Sequence, residues 1–403
     1  MYQYDNFSHG YLRRAQIAMM ANPNLIFGLP DSHKCSSGRN NMTNRIDPFT
    51  RTPGIAGEAY IDNKVADEII ANFTSDISSK YVYKITGLRG SGKSVEYGKV
   101  IRTLKADEKW LVYPLSAAGD VVKTLISKLS MESFIDSKSK VTEVSSSVSA
   151  SGDAFFISGK GDVSIGKKES DNEHFYSDEA TLSKMIAAAN KKKYKVLVAV
   201  DDISKTPEMV KLLSMIGSMI LEGMQIYLLV TGLSENIEEF SSEKNLTFFK
   251  RADSIEIKAL NKYDITAMYQ KLLKVDALEA KKLEEETKGY AYAYQVLGSL
   301  YFVKAKEETI DDLIPEYERI LFRDSYDLVW KSLSKGEKEV IRCICRSKDG
   351  KAENIKNLMK NKSTYPVYRS RLLNKHIVDD EERGYLKIRL PRFERFVEIW
   401  GNE

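Results

Sequence analysis

Apolar, strand-like runs alternate with helical patterns between residues 81 and 260. Such alternation is typical of a parallel α/β sheet. The run KVLVAV is continuous and β-branched, which favours a central strand buried on both faces. The predicted strands are YVYKIT (81–86), WLVYPLSA (110–117), KVLVAV (195–200), MQIYLLVT (224–231) and DSIEIKAL (253–260).

The strand-like runs stop after residue 260, and helical spacing replaces them. Apolar residues at heptad-like spacing predict a small helical domain, followed by a connecting helix from 309 to 331. The last segment predicts three short helices and then a hairpin, which is the order of a winged helix-turn-helix. Its helices are SKGEKEVIRCIC, AENIKNLM and YPVYRSRLLNKHIV, and its hairpin is DDEERGYLKIRLPRF.

These changes of pattern predict an α/β domain at 46–260, a helical domain with its connector at 261–330 and a winged helix at 331–403. Residues 1–45 are polar and show no period, which indicates a disordered or weakly docked arm. The alternative is an over-extended start, with Met42 as the true initiator. Alternation with Ser and Gly turns predicts a β-hairpin inserted in the α/β domain at about 141–167.

The composition is ordinary for a soluble globular protein: of 403 residues, 42% are hydrophobic and 29% are charged. No apolar stretch reaches about 18 residues, so no membrane span is predicted. The amino terminus lacks the apolar core and the cleavage site of a secretory signal. Three cysteines without metal-ligand spacing predict neither disulfides nor a structural zinc. The expected location is the cytoplasm.

Positive charge is concentrated near the end of the chain. The net charge is only +4, whereas residues 331–403 contain 18 Lys and Arg against 11 Asp and Glu. A basic module beside a neutral body predicts a contact with nucleic acid. An ordinary solvated surface is the alternative.

The segment GLRGSGKS joins the first predicted strand to a helix and matches G-x-x-x-x-G-K-[ST] at every fixed position. Glycines let backbone N–H groups approach phosphates, and the helix amino terminus adds its positive end. Lys93 is expected to neutralise the β- and γ-phosphates of ATP, and the Ser94 hydroxyl to bind Mg²⁺. A structural glycine turn is the alternative. The predicted nucleotide-binding residues are Gly87, Leu88, Arg89, Gly90, Ser91, Gly92, Lys93 and Ser94.

Polar residues follow three of the predicted elements where a phosphate loop needs catalytic partners. Asp201 and Asp202 end the KVLVAV strand, where Asp201 would hold Mg²⁺ and Asp202 would polarise the attacking water. Thr231 ends the next strand and would orient the water or the γ-phosphate. Arg251 would reach a neighbouring subunit's γ-phosphate as an arginine finger. The alternatives are helix-capping aspartates, a plain strand-end threonine and a surface arginine or local ion pair.

Taken together, these residues resemble the AAA+ ATPases, and more narrowly the bacterial and archaeal ATP-binding proteins akin to origin-recognition and initiator ATPases. The resemblance covers about residues 45–403 and also includes DPFTRTPGIAGEAYI, FFKRADSIEIKALNKYD and GYAYAYQVLG. It implies an α/β P-loop NTPase with an AAA+ core of five parallel strands, an α-helical lid and a C-terminal winged helix-turn-helix. It also implies that residues near Pro53 to Gly57 flank the adenine.

The sequence departs from this family at three positions. Glu58 follows Gly57 where relatives usually carry arginine, and Asp202 stands where many relatives use glutamate. The lid helix begins Gly289-Tyr290-Ala291-Tyr292, with no sensor arginine. We therefore expect ATP binding with slow or conditional hydrolysis.

In a winged helix the third helix enters the major groove of double-stranded DNA, and the ribbon touches the backbone or the minor groove. Arginine and lysine suit phosphates and guanine edges, whereas the acidic DDEER at the wing tip would repel phosphate. The sequence thus predicts an ATP-driven switch on DNA, with a homo-oligomer completed through Arg251. The alternative is a regulatory or defence-type scaffold that holds ATP or ADP and recruits a protein partner. The predicted DNA-binding residues are Arg369, Arg371, Lys375, Arg383, Lys387 and Arg389.

Overall fold

The computed structural model describes residues 46–77, 80–135, 177–304, 308–347 and 349–401. Within these ranges, the chain from Asp47 onward forms one compact unit. The arm predicted at 1–45 and the hairpin predicted at about 141–167 lie outside the described residues. None of the helices in the described ranges has the length and the apolar content that crossing a membrane requires.

Helices alternate with strands through the first part of the molecule, as the pattern of apolar runs predicts. Several helices begin at a side-chain cap: the Thr206 hydroxyl accepts from the Met209 N–H, and Pro207 fills the first helical position. The elements are α1 Val65–Thr74, β1 Val82–Thr86, α2 Lys93–Lys105, β2 Trp110–Ser116, α3 Val121–Leu129, α4 Asp178–Lys191, β3 Lys195–Asp201, α5 Pro207–Leu221, β4 Ile226–Gly232, α6 Ser234–Glu239, α7 Thr247–Arg251 and β5 Asp253–Glu256.

The five strands form one parallel sheet in the order β2-β3-β4-β1-β5. Separate apolar clusters cover its two faces, so β3 alternates between them: Val198 and Val200 join one cluster, while Leu197 and Ala199 join the other. Burial on both faces explains why this strand is almost continuously apolar in sequence. The predicted five-stranded α/β fold is confirmed, and the carboxyl ends of β1, β3 and β4 meet at one edge of the sheet.

The fifth strand is shorter than the sequence predicts. Apolar residues continue to 260, but β5 ends at Glu256. The Ile257 N–H still donates to Thr86 O at 2.8 Å, whereas the Leu260 N–H donates to Gly289 O, at 2.8 Å. The last residues of the predicted strand therefore connect the sheet to the next helices.

Helices make up the region after the sheet, as predicted. A capping box starts one of them, because the Thr309 and Asp312 side chains accept from each other's backbone N–H groups. The predicted connector at 309–331 is present as a run of two α-helices around a π-helical turn, Phe322–Tyr326. The helices are α8 Lys262–Leu273, α9 Ala277–Glu285, α10 Ala291–Lys304, α11 Ile310–Leu321 and α12 Asp327–Ser332.

The last segment contains three helices followed by an antiparallel hairpin, in the order predicted. Val378 pairs with Ile388 in the hairpin. The third helix is shorter than predicted, since it ends at Asn374 and His376 has a left-handed φ of 57°. The elements are α13 Lys335–Ser347, α14 Ala352–Leu358, α15 Tyr365–Asn374, β6 Val378–Asp379, β7 Lys387–Ile388 and α16 Phe393–Trp400.

Helix α16 was not predicted, because PRF at 391–393 was assigned to the hairpin. Phe393, Phe396 and Val397 fall on one helical face and are buried. They join Tyr326 and Trp330 in an apolar cluster that also includes the lid. This cluster crosses the boundary predicted at residue 330, and the domain limits themselves stay predictions.

Candidate nucleotide-binding site

The glycine-rich loop lies between β1 and α2, at the carboxyl edge of the sheet. Gly92 has a φ of 104°, which residues with a side chain rarely adopt, and α2 begins at the next residue. The Ser91 hydroxyl is buried and has no hydrogen-bond partner among the described residues. A phosphate oxygen bound in the loop would supply that missing partner.

Lys93 folds back over the loop that precedes it. Its Nζ donates to Leu88 O at 2.8 Å and to Gly87 O at 3.0 Å, so both acceptors are neutral carbonyls. Burial lowers the pKa of Lys93 to about 8, although the negative charges of Asp202 and Asp201 act in the opposite direction. The side chain is thus a desolvated cation held at the mouth of the loop.

The structure brings Asp201, Asp202 and Thr231 together across the ends of β3 and β4. The fully buried Thr231 hydroxyl donates to Asp201 Oδ1 and accepts from the Asp202 N–H at 2.9 Å. Asp202 has a left-handed φ of 53°, a conformation that aspartate tolerates better than most residues. Thr231 therefore fixes both the orientation of one carboxylate and the backbone that carries the other.

A cavity of about 500 Å³ contains these groups. Its size lies within the range of about 300–1,000 Å³ typical of small-molecule sites. The segment 50–57 lines one side, so Pro53–Gly57, expected near the adenine, face the same space as the loop. The first residues of α10, with Asp324 and Ser325 of the π-helical turn, line another side.

Two predicted Mg²⁺ ligands, Ser94 and Asp201, line this cavity. In the described part of the chain, no group of three or more His, Cys, Asp or Glu side chains could hold a metal by itself. Mg²⁺ in phosphate sites commonly takes one or two protein ligands, with water and phosphate oxygens completing its shell. One hydroxyl and one carboxylate therefore fit an ion that binds together with a nucleotide.

The lid meets the loop at the positions where the sensor arginine is missing. The Tyr290 hydroxyl donates to Arg89 O at 2.7 Å, and the Tyr292 N–H donates to Gly90 O at 3.1 Å. Sequence reasoning noted these residues only for what they lack. The contacts show that the lid reaches the loop through hydrogen bonds to its backbone.

Arg251 lies far from the cavity of its own chain. It ends α7 and is exposed, two residues before Asp253, which pairs with Tyr83 in the sheet. Its position along β1 is therefore about 20 Å from the loop, at about 3.3 Å per residue. Only the cavity of another copy is open to this side chain.

Glu96 is a buried carboxylate that sequence reasoning missed. It lines the cavity, and it accepts from the Tyr60 hydroxyl at 2.6 Å and from the Ala66 N–H at 2.8 Å. Burial raises the pKa of Glu96 above its ordinary value. The available signal was its place at helical spacing with Val100 and Leu104 on the apolar face of α2.

Four of the six predicted DNA-binding residues face carboxylates of the same chain. Arg369 pairs with Asp380, and Lys387 with Glu382. The other two pairs are Lys375 with Glu337 at 3.3 Å and Arg389 with Glu256 at 3.5 Å.

The remaining two residues differ from those four. Arg371 lies over the ring of Tyr368, with its guanidinium carbon 5.8 Å from the ring centre, and it is exposed. Arg383 is also exposed, at the acidic tip of the hairpin. The structure therefore gives this surface less available positive charge than its sequence indicates.

Strand order, phosphate loop, aspartate pair and lid together define the class: an α/β P-loop NTPase with an AAA+ core. Solved structures agree. The Walker-type ATPase PABY2304 of Pyrococcus abyssi is 13% identical, with a TM-score of 0.59, and the match covers 87% of this chain and 99% of that one. The ORC2 protein of Aeropyrum pernix, in ADPNP–ADP complexes, is 11% identical, with a TM-score of 0.53 over 89% of this chain and 96% of that one.

At these identities the likeness shows the fold, which is that of AAA+ ATPases akin to the archaeal origin-recognition proteins. A family model described as "Domain of unknown function (DUF8462)" matches residues 323–397. Its match begins inside the π-helical turn, so it also crosses the boundary predicted at residue 330. The search of curated proteins finds no significant match.

Proposed function

We propose that this protein binds and hydrolyses ATP and acts as a nucleotide-dependent switch on double-stranded DNA. The observation that supports this most directly is the cavity shared by the phosphate loop, Asp201, Asp202 and Thr231. These groups come from three strand ends and are the set that phosphoryl transfer to water needs. Asp202, one carbon shorter than glutamate, favours slow hydrolysis.

Each side chain has a definite task in this proposal. Lys93 would exchange its two carbonyl acceptors for phosphate oxygens, and the Ser91 hydroxyl would gain an acceptor. Mg²⁺ held by Ser94 and Asp201 would neutralise charge on the phosphates. Asp202 would accept a proton from the attacking water while Thr231 holds its backbone in place. Arg251 would complete the site of a neighbouring copy.

The C-terminal segment contacts the nucleotide domain beside this site. Ser234 begins α6, three residues after Thr231, and its hydroxyl lies 3.1 Å from His376 Nε2. His376 Nδ1 lies 2.8 Å from Glu256 Oε1, which also faces Arg389. A shift of Thr231 that follows the γ-phosphate would therefore reach the end of the third helix through a short, packed connection.

DNA binding through this segment would exchange internal ion pairs for contacts with phosphates. Lys375 and Arg389 are held by Glu337 and Glu256, so release from these carboxylates would precede or accompany DNA contact. Because phosphate contacts displace counterions, such binding weakens steeply as salt rises. The winged-helix assignment belongs to this proposal.

The proposed function is tested by measuring ATPase activity of the full chain with and without duplex DNA. We expect slow turnover that DNA stimulates, and Asp202→Asn should lower it about 100-fold or more with little change in ATP affinity. The matched control is Asp253→Asn, which lies at the opposite edge of the sheet. Turnover in Asp202→Asn equal to that of the unaltered protein would exclude the assigned role.

A second candidate is a scaffold that retains ATP or ADP and recruits a protein through its C-terminal segment. The internal pairing of Arg369, Lys375 and Arg389 favours it, because a surface with compensated charge attracts DNA weakly. The two candidates differ in the nucleotide content of the purified protein. Retained ADP together with a turnover that ignores DNA supports the scaffold, whereas DNA-stimulated turnover supports the switch.

A further inference from the structure

Two lid tyrosines are attached to the phosphate loop itself. Tyr290 donates its hydroxyl proton to Arg89 O, and Tyr292 donates its backbone N–H to Gly90 O. Both acceptors are carbonyls in the middle of the loop, between its first glycine and Lys93. The lid is thus bonded to the part of the loop that surrounds the phosphates of a nucleotide.

The π-helical turn supports both tyrosines from behind. The Tyr290 hydroxyl lies 2.8 Å from the Ser325 hydroxyl; since the tyrosine proton is given to Arg89 O, Ser325 is the donor. The Tyr292 hydroxyl donates to Asp324 Oδ2 at 2.7 Å. Tyr290 is 6% exposed and Ser325 is 2% exposed. Neither tyrosine can leave the loop without breaking bonds on both of its sides.

Gly90 is fitted to these residues. A Cβ added there would lie 2.3 Å from the Tyr290 hydroxyl and 3.0 Å from the Tyr292 Cβ, well inside contact distance. The φ of Gly90 is 75°, which also favours glycine. Loop and lid therefore approach each other more closely than any other residue at this position would allow.

We propose that Tyr290 and Tyr292 form a tyrosine latch that closes the lid irrespective of the third phosphate and so controls nucleotide release. A lid arginine that reaches the γ-phosphate would close more firmly on ATP than on ADP. Bonds to loop carbonyls carry no such difference, because those carbonyls are the same in both states. ADP and ATP should therefore leave at similarly slow rates, each limited by opening of the latch. This inference rests on the proposed nucleotide binding.

The test measures release of fluorescent N-methylanthraniloyl ADP and ATP from the full chain by stopped flow. Tyr290→Phe keeps the ring but removes the hydroxyl, which leaves Arg89 O and the Ser325 hydroxyl without that partner. We expect both release rates to rise about tenfold, with their ratio unchanged. Tyr301→Phe is the matched control: it lies on the same helix, α10, and its hydroxyl bonds to Glu279 within the lid.

A second measurement does not depend on nucleotide. Without added nucleotide, hydrogen–deuterium exchange should be faster at the Tyr292 amide in Tyr290→Phe than in Tyr301→Phe, because loosening the latch frees that N–H from Gly90 O. Ser325→Ala, which leaves both tyrosines in place, should show the same change to a smaller degree. These variants also separate the latch from a general loss of folding, which would speed exchange throughout the sheet.

Three results would overturn the latch. The first is unchanged release of both nucleotides from Tyr290→Phe; the second is faster release of the ATP analogue alone, which would mean that the lid senses the third phosphate. The third is unchanged exchange at Tyr292. If the unaltered protein binds neither nucleotide, the proposed function fails, whereas normal binding with unchanged release in Tyr290→Phe refutes only the latch.

Discussion

The phosphate-loop edge of the sheet and the C-terminal segment use positive charge in opposite ways. At the loop, Lys93 is buried and bonded only to the neutral carbonyls of Gly87 and Leu88 in the hydrogen bonds it donates. In the C-terminal segment, Lys375 and Arg389 face carboxylates and are partly exposed. The first region is prepared to receive an anion, whereas the second must release one of its own before it can bind another.

This difference shows why a sequence motif and a basic count carry unequal weight. The loop's residue types require a particular backbone and place one cation where nothing neutralises it directly. A count of lysines and arginines says nothing about the acids that the fold brings beside them. Experiments that alter one charge in each region can separate the two cases.

The largest expected effect comes from removing the loop cation. Lys93→Ala should weaken binding of a fluorescent ATP analogue about 100-fold, because a buried charge-assisted contact to phosphate is lost. Lys99→Ala, on the same helix but paired with Asp67 at the surface, should bind within about twofold of the unaltered protein. Equal losses in the two variants would remove the distinction drawn for Lys93.

Thr231→Val is expected to have the next largest effect. Valine keeps the shape but leaves the Asp202 N–H without its acceptor and Asp201 without its donor. Hydrolysis should fall about 30-fold from misplacement of the carboxylates, while ATP affinity changes little. Thr181→Val, a buried threonine of α4 away from the cavity, is the control for steady-state ATPase assays. A matching loss in that control would indicate a general packing effect.

The pH dependence of binding tests the state of Lys93 directly. Its pKa of about 8 means that the free protein loses this proton above pH 8, so binding must first restore it. ATP affinity should therefore be level between pH 7 and 8 and fall towards about tenfold per pH unit above that. Lys93→Arg, whose guanidinium stays charged, should bind with a flat profile over the same range. A flat profile in the unaltered protein would contradict the assigned pKa.

The smallest expected effect belongs to the C-terminal segment. Glu256→Gln removes the carboxylate that faces His376 and Arg389, so DNA affinity measured by fluorescence anisotropy should rise about threefold. The dependence on salt should steepen, because more cations reach phosphates. Glu398→Gln, which frees only Arg395 on α16, is the control. Unchanged DNA binding in Glu256→Gln would argue against the release of these pairs.

The sequence was sufficient where structure depends on neighbouring residues. Each observed strand begins within two residues of its predicted start, and the loop, the aspartate pair and Thr231 converge as expected. Parallel strands buried on both faces leave a continuous apolar signal, and a phosphate loop has a nearly fixed local pattern. The predicted fold class is confirmed; the roles of the site residues stay predictions.

Contacts between distant residues were not predictable in the same way. The Tyr290 hydroxyl meets Arg89 O from 201 positions away, and Glu96 meets Tyr60 only after α1 has packed against α2. Helix α16 was missed because Arg392, at its amino-terminal cap, and the preceding proline look like a turn in sequence. Ion pairs such as Glu256 with His376 arise from packing, which periodicity does not specify.

The strand order has a consequence for the newly made chain. Strand β1 ends in the phosphate loop, yet its neighbours are β4 and β5: Val82 pairs with Leu228, and Tyr83 with Asp253. At about 5–20 residues per second, about 7–30 s pass on the ribosome before those partners emerge. Until then the loop lacks the strands that hold its entry, and such distant pairing is intrinsically slow to form. The site for the nucleotide is therefore among the last parts of the sheet to be completed during synthesis.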